Sequence, residues 1–293
     1  MLNSPFKWVG GKSRLRKHIL PLLTFHKCYV EPFCGAAWVL FGKAISEVEV
    51  LNDKDDDLIN FFRVVKHDPE ALIESFDLTF ASRAEFERLA AQDQTDLTPI
   101  ERAHRFYYLI MAGWGGELLY PRFQTSITDG GHGNRLIGAI TTLRERIIPI
   151  YERLRTVIIE NMDWKDCIKR YDHADSLMYI DPPYPENKVN YVHNMRDWES
   201  HEQLAAILAT AHSKWILSSY DTPQIRTLFK QNVFVPVNSY SGMNTDKTQT
   251  RRVLNQELLI FNYDPFPAKP AETELASTSQ QPLFPVNIDR QGK

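Results

Sequence analysis

The tetrapeptide Asp181-Pro182-Pro183-Tyr184 follows directly on the apolar run SLMYI, and its residue types suit one kind of chemistry. An aspartate carboxylate and the carbonyl of the next residue are two acceptors held close together. They can receive both N–H bonds of an exocyclic amine such as that of adenine. That nitrogen is a poor nucleophile while its lone pair is delocalised into the ring. Two fixed acceptors favour a tetrahedral nitrogen, free the lone pair for a methyl donor, and stabilise the positive charge that develops. Pro182 and Pro183 stiffen the turn that aims these groups. Tyr184 offers a face on which a base extruded from a duplex can stack. Asp-Pro and Pro-Pro are also ordinary turn punctuation, so the tetrapeptide argues for this chemistry only in company.

Company is present. Glu31-Pro32-Phe33-Cys34-Gly35 ends the first predicted strand, and Asp53 ends the second, 22 residues after Glu31, where a nucleotide-type site holds a ribose hydroxyl. The N-terminal stretch PFKWVGGKS finishes like a phosphate-binding loop. That motif needs a glycine where Phe6 stands, and too few residues precede it for the strand that would fix it, so a nucleotide hydrolase is not expected. Other fragments fail their own tests. His201-Glu202 opens a zinc-protease helix, but position 205 is Ala. SSYD (218–221) lacks the glycines of a nucleophile elbow and reads as a polar cluster at a strand end, lining the base pocket. The run DKDDD (53–57) reads as the acidic first turn of a helix, and no metal is expected.

The elements that must position these residues alternate. CYVEPF (28–33), EVEVLND (47–53), SLMYID (176–181), KWILSSY (214–220), VFVPVN and ELLIFNY read as strands. AAWVLFGKA, DDLINFFRVVKH (56–67), HEQLAAILATAH (201–212) and TPQIRTLFK read as helices. Such alternation predicts a doubly wound α/β sheet with helices on both faces, whose ligands lie at the carboxyl ends of the strands. At 293 residues and 43% hydrophobic content, the chain can bury one substantial core and carry a smaller insert. The formal net charge of −3 argues against blanket affinity for nucleic acid, although a groove-binding enzyme needs only a local basic face. Cys28, Cys34 and Cys167 form no C-x-x-C pair and no disulfide framework, which points to a reducing cytoplasm. No apolar run reaches membrane-spanning length, and a soluble monomer is expected.

The alternation breaks over residues 70–155. There the reading is of helices with a glycine-rich interruption, AGWGGELLYPRFQTSITDGGHGNR, which holds six of the 13 glycines. Residues 100–160 carry eight arginines, no lysines and six acids, a local charge of +2. Arginine favours bidentate contact with guanine or phosphate, and Arg122 lies within the glycine-rich stretch while Arg135 ends it; a solvated helical face would carry the same excess. The division expected is a catalytic part over 1–69, a target-recognition insert over 70–155, a second catalytic part over 156–263 and a flexible tail over 264–293. Within the tail, Gln280-Gln281-Pro282-Leu283-Phe284 resembles the Q-x-x-L-F peptide with which bacterial DNA enzymes dock on the replication sliding clamp.

Taken in order, KWVGGK, EPFCGAA, LNDKDDDLINFF and DPPY resemble the motifs of the Dam-like, D12 class of N6-adenine DNA methyltransferases. The resemblance runs from the first residues to about Tyr263. It implies a methyltransferase sheet with an inserted, mainly helical DNA-recognition domain, S-adenosylmethionine as donor and double-stranded DNA as partner. By the same resemblance Trp8, Gly10, Gly11 and Lys12 contact the donor, and Asp53 takes its ribose. Phe33 and Gly35 take its methionine side, and Asp163 and Trp164 its adenine. Asp181, Pro182, Pro183 and Tyr184 engage the target base, with Asp181 also at the donor. Two departures stand out. Ala37 replaces the second glycine of the loop, and AGWGGELLYPRFQTS replaces the Y-N-G segment of members that read GATC, so the target sequence does not carry over. An RNA base, a glutamine amide and DNA binding without methylation remain as alternatives; Asp rather than Asn at 181 disfavours the amide.

Overall fold

The computed structural model of the chain describes residues 1–8, 10–113, 122–123, 135–185, 191–240 and 254–266. The sliding-clamp motif at 280–284, nearly all of the 264–293 tail and most of the glycine-rich stretch lie outside the described residues.

Chain order begins with a short α1 (Arg16–Ile19) and then β1 (Cys28–Glu31), which ends where Pro32 removes a backbone donor. There follow α2 (Trp38–Gly42), β2 (Val48–Asn52) and α3 (Asp56–His67). Asp55 caps α3 by accepting from the amides of Asp57 and Leu58, which explains part of the acidic run. Next come α4 (Pro69–Glu74), α5 (Arg83–Ala91), α6 (Pro99–Ala112), α7 (Arg135–Thr141) and α8 (Leu143–Leu154). The chain re-enters the sheet with β3 (Val157–Glu160), α9 (Trp164–Tyr171) and β4 (Ser176–Ile180). It finishes with α10 (Trp198–Ala209), β5 (Lys214–Tyr220), α11 (Pro223–Leu228), β6 (Val233–Tyr240) and β7 (Leu254–Phe261).

Among the described residues the strands form one seven-stranded sheet in the order β3-β2-β1-β4-β5-β7-β6. Strands β1 to β5 pair in parallel, and β7 lies antiparallel between β5 and β6. Pro236 is tolerated because β6 is an edge strand. Alternate strand residues feed two cores. Tyr29, Leu51, Leu177, Tyr179, Ile216 and Leu259 pack with residues of α2, α3, α6 and α8 on one face. Val30, Val50, Met178, Ile180, Leu217 and Leu258 pack with residues of α9, α10 and α11 on the other. All five residues of β4 are buried, which is why SLMYI reads as a continuous apolar run.

Helices α6 and α8, from the segment read as an insert, share the first core with α3 and the sheet: Phe106 and Tyr107 stand against Phe61 at 5.5 and 5.7 Å between ring centroids. Strand β3 has no counterpart among the strands expected from the sequence. It is four residues long and lies at the sheet edge beside β2. The helix expected over AAWVLFGKA is shorter, because Ala37 precedes it at φ 51°, ψ 38°, in the left-handed region. A side chain there costs about 1–2 kcal/mol, since Cβ crowds the following carbonyl. Ala37 is also fully buried at the mouth of the motif loop. Ala37→Gly is therefore expected to raise unfolding stability by about 1 kcal/mol, with the entropy of the freer unfolded chain offsetting part of the gain. Urea melts of the two proteins check it, and a loss of stability would show that the position is not strained.

Candidate active site

Strand order reverses between β1 and β4, and the crevice at such a switch point is where open α/β sheets bind ligands. Here it holds a cavity of about 520 Å³, a size that suits a small-molecule ligand. All thirteen residues expected at the donor and catalytic sites line it: Trp8, Gly10, Gly11, Lys12, Phe33, Gly35, Asp53, Asp163, Trp164, Asp181, Pro182, Pro183 and Tyr184.

One half of the cavity is a backbone cradle. Asp53, just past β2, accepts from the Gly35 amide at 3.0 Å and the Asp55 amide at 3.1 Å, tying the loop after β1 to the end of β2. Burial raises its pKa, and the backbone amides of Asp55, Gly35 and Lys54 oppose the rise. Gly35 lies at φ 46°, and a Cβ there would meet the Trp8 indole at 3.1 Å. The Phe33 and Trp164 rings lie 5.9 Å apart. Asp163 caps α9 through the Lys165 amide at 3.1 Å and pairs with Lys54 at 3.2 Å. Nearby, Glu31 accepts from the Tyr29 hydroxyl at 2.9 Å and the Leu40 amide at 2.7 Å, and burial pushes its pKa up to about 8.

The other half is a cluster of charges around the end of β4. The Lys12 ammonium stands 2.9 Å from Asp181 Oδ1 and 3.7 Å from Glu257 Oε2, and donates to the Gly10 carbonyl at 3.1 Å. It also lies 4.7 Å from the centre of the Tyr184 ring. The Tyr184 hydroxyl donates to Glu257 at 2.9 Å, and the Tyr220 ring meets Tyr184 edge-on at 4.6 Å. Burial raises the Asp181 pKa to about 6, against the opposing pull of Lys12. For Lys12 burial works downward, but Asp181 and Glu257 outweigh it and the ammonium is held above its ordinary value. Lys12, expected at the donor, is thus also the partner of Asp181.

Tyr220, part of the SSYD cluster expected to line the base pocket, lines this cavity; sequence reasoning passed over Glu257 and Tyr191, which line it as well. Because β7 runs antiparallel to β5, its early residue Glu257 falls opposite Tyr220, at the end of the sheet where β4 delivers Asp181. The one signal was a carboxylate opening the apolar run ELLIF. Tyr191 follows DPPY in the chain and lies against the N-terminal segment: a Cβ on Gly10, at φ 72°, would come within 2.3 Å of its hydroxyl oxygen, so a side chain there would be strained and would displace Tyr191.

The fragments set aside in the sequence have other work. His201 Nε2 donates to the Met195 carbonyl at 2.8 Å, and Ser218 Oγ bonds the Tyr179 hydroxyl at 2.7 Å. Among the described residues no group of three or more His, Cys, Asp or Glu has the arrangement to hold a metal, and no helix is long and apolar enough to cross a membrane.

Most of the arginine excess is engaged within the protein. Arg102 pairs with Asp56 and Asp57 at 2.7 and 2.6 Å, Arg105 donates to the Leu89 carbonyl at 2.7 Å, and Arg144 pairs with Glu70. Arg153 reaches the buried Glu49 at 2.8 Å, and Arg155 pairs with Glu152 at 3.0 Å. The charge count therefore overstates the cationic surface. Arg122 is exposed, and Arg135 opens α7.

Comparison with known proteins agrees with the motif order. The chain is 28% identical to the type II methyltransferase M1.LlaDCHI of Lactococcus lactis subsp. cremoris, over 88% of this chain and 95% of that protein. It is 26% identical to the type II methyltransferase M.MjaIII of Methanocaldococcus jannaschii, over 88% and 99%. It is likewise 26% identical to the DNA adenine methylase of Haemophilus influenzae, over 88% and 93%. Residues 8–243, which span the cradle, the helices of the middle segment and the DPPY loop, match the family as a whole, and the chain belongs to the D12 class of N6 adenine-specific DNA methyltransferases.

Proposed function

We propose that this enzyme transfers the methyl group of S-adenosylmethionine to the N6 amine of an adenine flipped out of duplex DNA at a specific sequence. The observation that carries the reading is the opening of the Asp181-Pro182 acceptor pair into the same cavity as the Gly35–Asp53 cradle. The cradle suits the donor in kind. A carboxylate at the ribose position is anchored by two backbone amides, and a glycine brings bare backbone against the Trp8 indole. Phe33 and Gly35 would hold the methionine side, Asp53 the ribose and Asp163 with Trp164 the adenine, beside Trp8, Gly10, Gly11 and Lys12. When bound, the donor supplies an electrophilic methyl group on a sulfonium.

The residues then divide the work on the target base. The Asp181 carboxylate and the Pro182 carbonyl accept the amine N–H bonds and orient its lone pair, while Pro183 keeps the turn rigid. Tyr184, braced by Glu257 and Tyr220, stacks on the base. The amine must lose one proton after it is methylated, and Asp181 is the carboxylate placed to receive it. Radiolabelled methyl transfer to DNA, RNA and protein tests the reading: label on N6 of adenine in duplex DNA is expected, and label confined to RNA or protein would overturn it.

Sequence recognition falls to the middle segment, through Arg122 and Arg135 around the glycine-rich stretch. A phosphate contact and a base contact separate by measurement. Alanine at a phosphate-contacting arginine weakens binding on every sequence and lowers the salt slope by about one. Alanine at a base-contacting arginine costs roughly 1–3 kcal/mol of discrimination. If neither substitution changes affinity, preference or salt slope, recognition lies elsewhere, and the segment that follows DPPY is the next to test.

A further inference from the structure

Resting on that reading, the charge balance around Asp181 raises a difficulty. The Lys12 ammonium lies 2.9 Å from Asp181, with side chains only 10% and 17% exposed. A tight ion pair is neutral overall, and a neutral pair stabilises a nearby developing cation far less than a carboxylate does. Glu257 changes the balance. Its Oε2 lies 3.7 Å from the same ammonium and accepts from the Tyr184 hydroxyl at 2.9 Å, with a side chain 14% exposed. With both carboxyls ionised, one ammonium serves two carboxylates and the cluster carries a net charge of −1.

We propose that Glu257 is a positioning residue of the methyl transfer, whose charge keeps Lys12 from neutralising Asp181 and whose hydrogen bond holds the Tyr184 ring in its stacking position. The fold makes the arrangement available because β7 is reversed against β5. Glu257 stands opposite Tyr220, whose ring braces Tyr184 from the edge. Lys12 then has a structural duty as well: it joins the N-terminal segment to β4 and β7 without cancelling the negative charge the amine must meet.

The two duties of Glu257 separate by substitution. Glu257→Gln keeps an oxygen that can accept from Tyr184 and removes only the charge. Single-turnover rates with saturating labelled S-adenosylmethionine and duplex DNA are expected to fall roughly 10- to 100-fold, the scale of one charge a few ångströms away in a partly buried site. Donor affinity by calorimetry is expected to stay within about threefold, which also shows that the variant is folded. The deciding arm is Lys12→Met combined with Glu257→Gln. That pair of changes leaves Asp181 alone and returns the cluster to −1, so at saturating donor the double variant should turn over faster than Glu257→Gln. A single variant within twofold of wild type overturns the proposal, as does a double variant whose losses multiply. A wild-type protein that transfers no methyl to DNA would instead overturn the parent reading of the site.

Discussion

Asp181→Ala is expected to lower methyl transfer by about a thousandfold while leaving duplex DNA affinity within a few-fold of wild type. The substitution removes a charge-assisted acceptor and the counter-charge to the developing cation from a site withdrawn from water, where one preorganised group contributes a factor of 10² to 10³. It also leaves the buried Lys12 ammonium facing the methylated amine with Asp181 gone, which adds repulsion to the loss. Binding is spared because Asp181 lines the cavity, whereas the groups proposed to read the duplex are Arg122 and Arg135. Single-turnover kinetics with gel-shift titrations separate the two effects, and near-normal turnover by the purified variant would show that another group carries the reaction.

The same residue sets a pH dependence. Burial, opposed by Lys12, raises the Asp181 pKa to about 6, so the carboxylate is ionised above that value and protonated below it. A protonated carboxyl neither balances a cation nor keeps both oxygens as acceptors. The rate at saturating substrates should therefore fall as pH drops through about 6, approaching tenfold per unit on the acid side.

What could be read from the chain and what could not have separable causes. Residues whose function depends on local spacing were legible. Asp53 falls 22 residues after Glu31 because a glycine turn, one helix and the second strand fit between them, and DPPY follows an apolar run because β4 is covered on both faces. Residues that reach the cavity by long-range geometry were not. Glu257 arrives only through the antiparallel reversal of β7, and Tyr191 only by the approach of its hydroxyl to Gly10. Strand β3 escaped notice because four residues at a sheet edge, three of them not fully buried, leave almost no periodic signal. The arginine count misled for a related reason. Composition records charge but not its partner, and the acids that engage Arg102, Arg144 and Arg153 come from α3, α4 and β2, distant in sequence.

A second large effect is expected at the cradle, where Asp53→Ala should weaken S-adenosylmethionine binding by about 10- to 100-fold with a smaller effect on the rate at saturating donor. Two losses combine. The ribose hydroxyls lose an ionised acceptor, a contact worth about 1.5–3 kcal/mol. The amides of Gly35 and Asp55 lose the carboxylate that ties the loop after β1 to the end of β2, so the cradle itself loosens. Asp53→Asn keeps one oxygen able to accept from Gly35 and should cost less than alanine. Lys12→Ala should differ in kind. Its ammonium offsets the Asp181 and Glu257 charges as well as belonging to the donor segment, so donor affinity should fall without the loss of turnover at saturating donor that Asp181→Ala shows. Calorimetry on the three variants, read beside their single-turnover rates, tests the assignment. If Asp53→Ala and Lys12→Ala both bound the donor as wild type does, KWVGGK would be a structural loop, and the donor would have to lie in another part of the cavity.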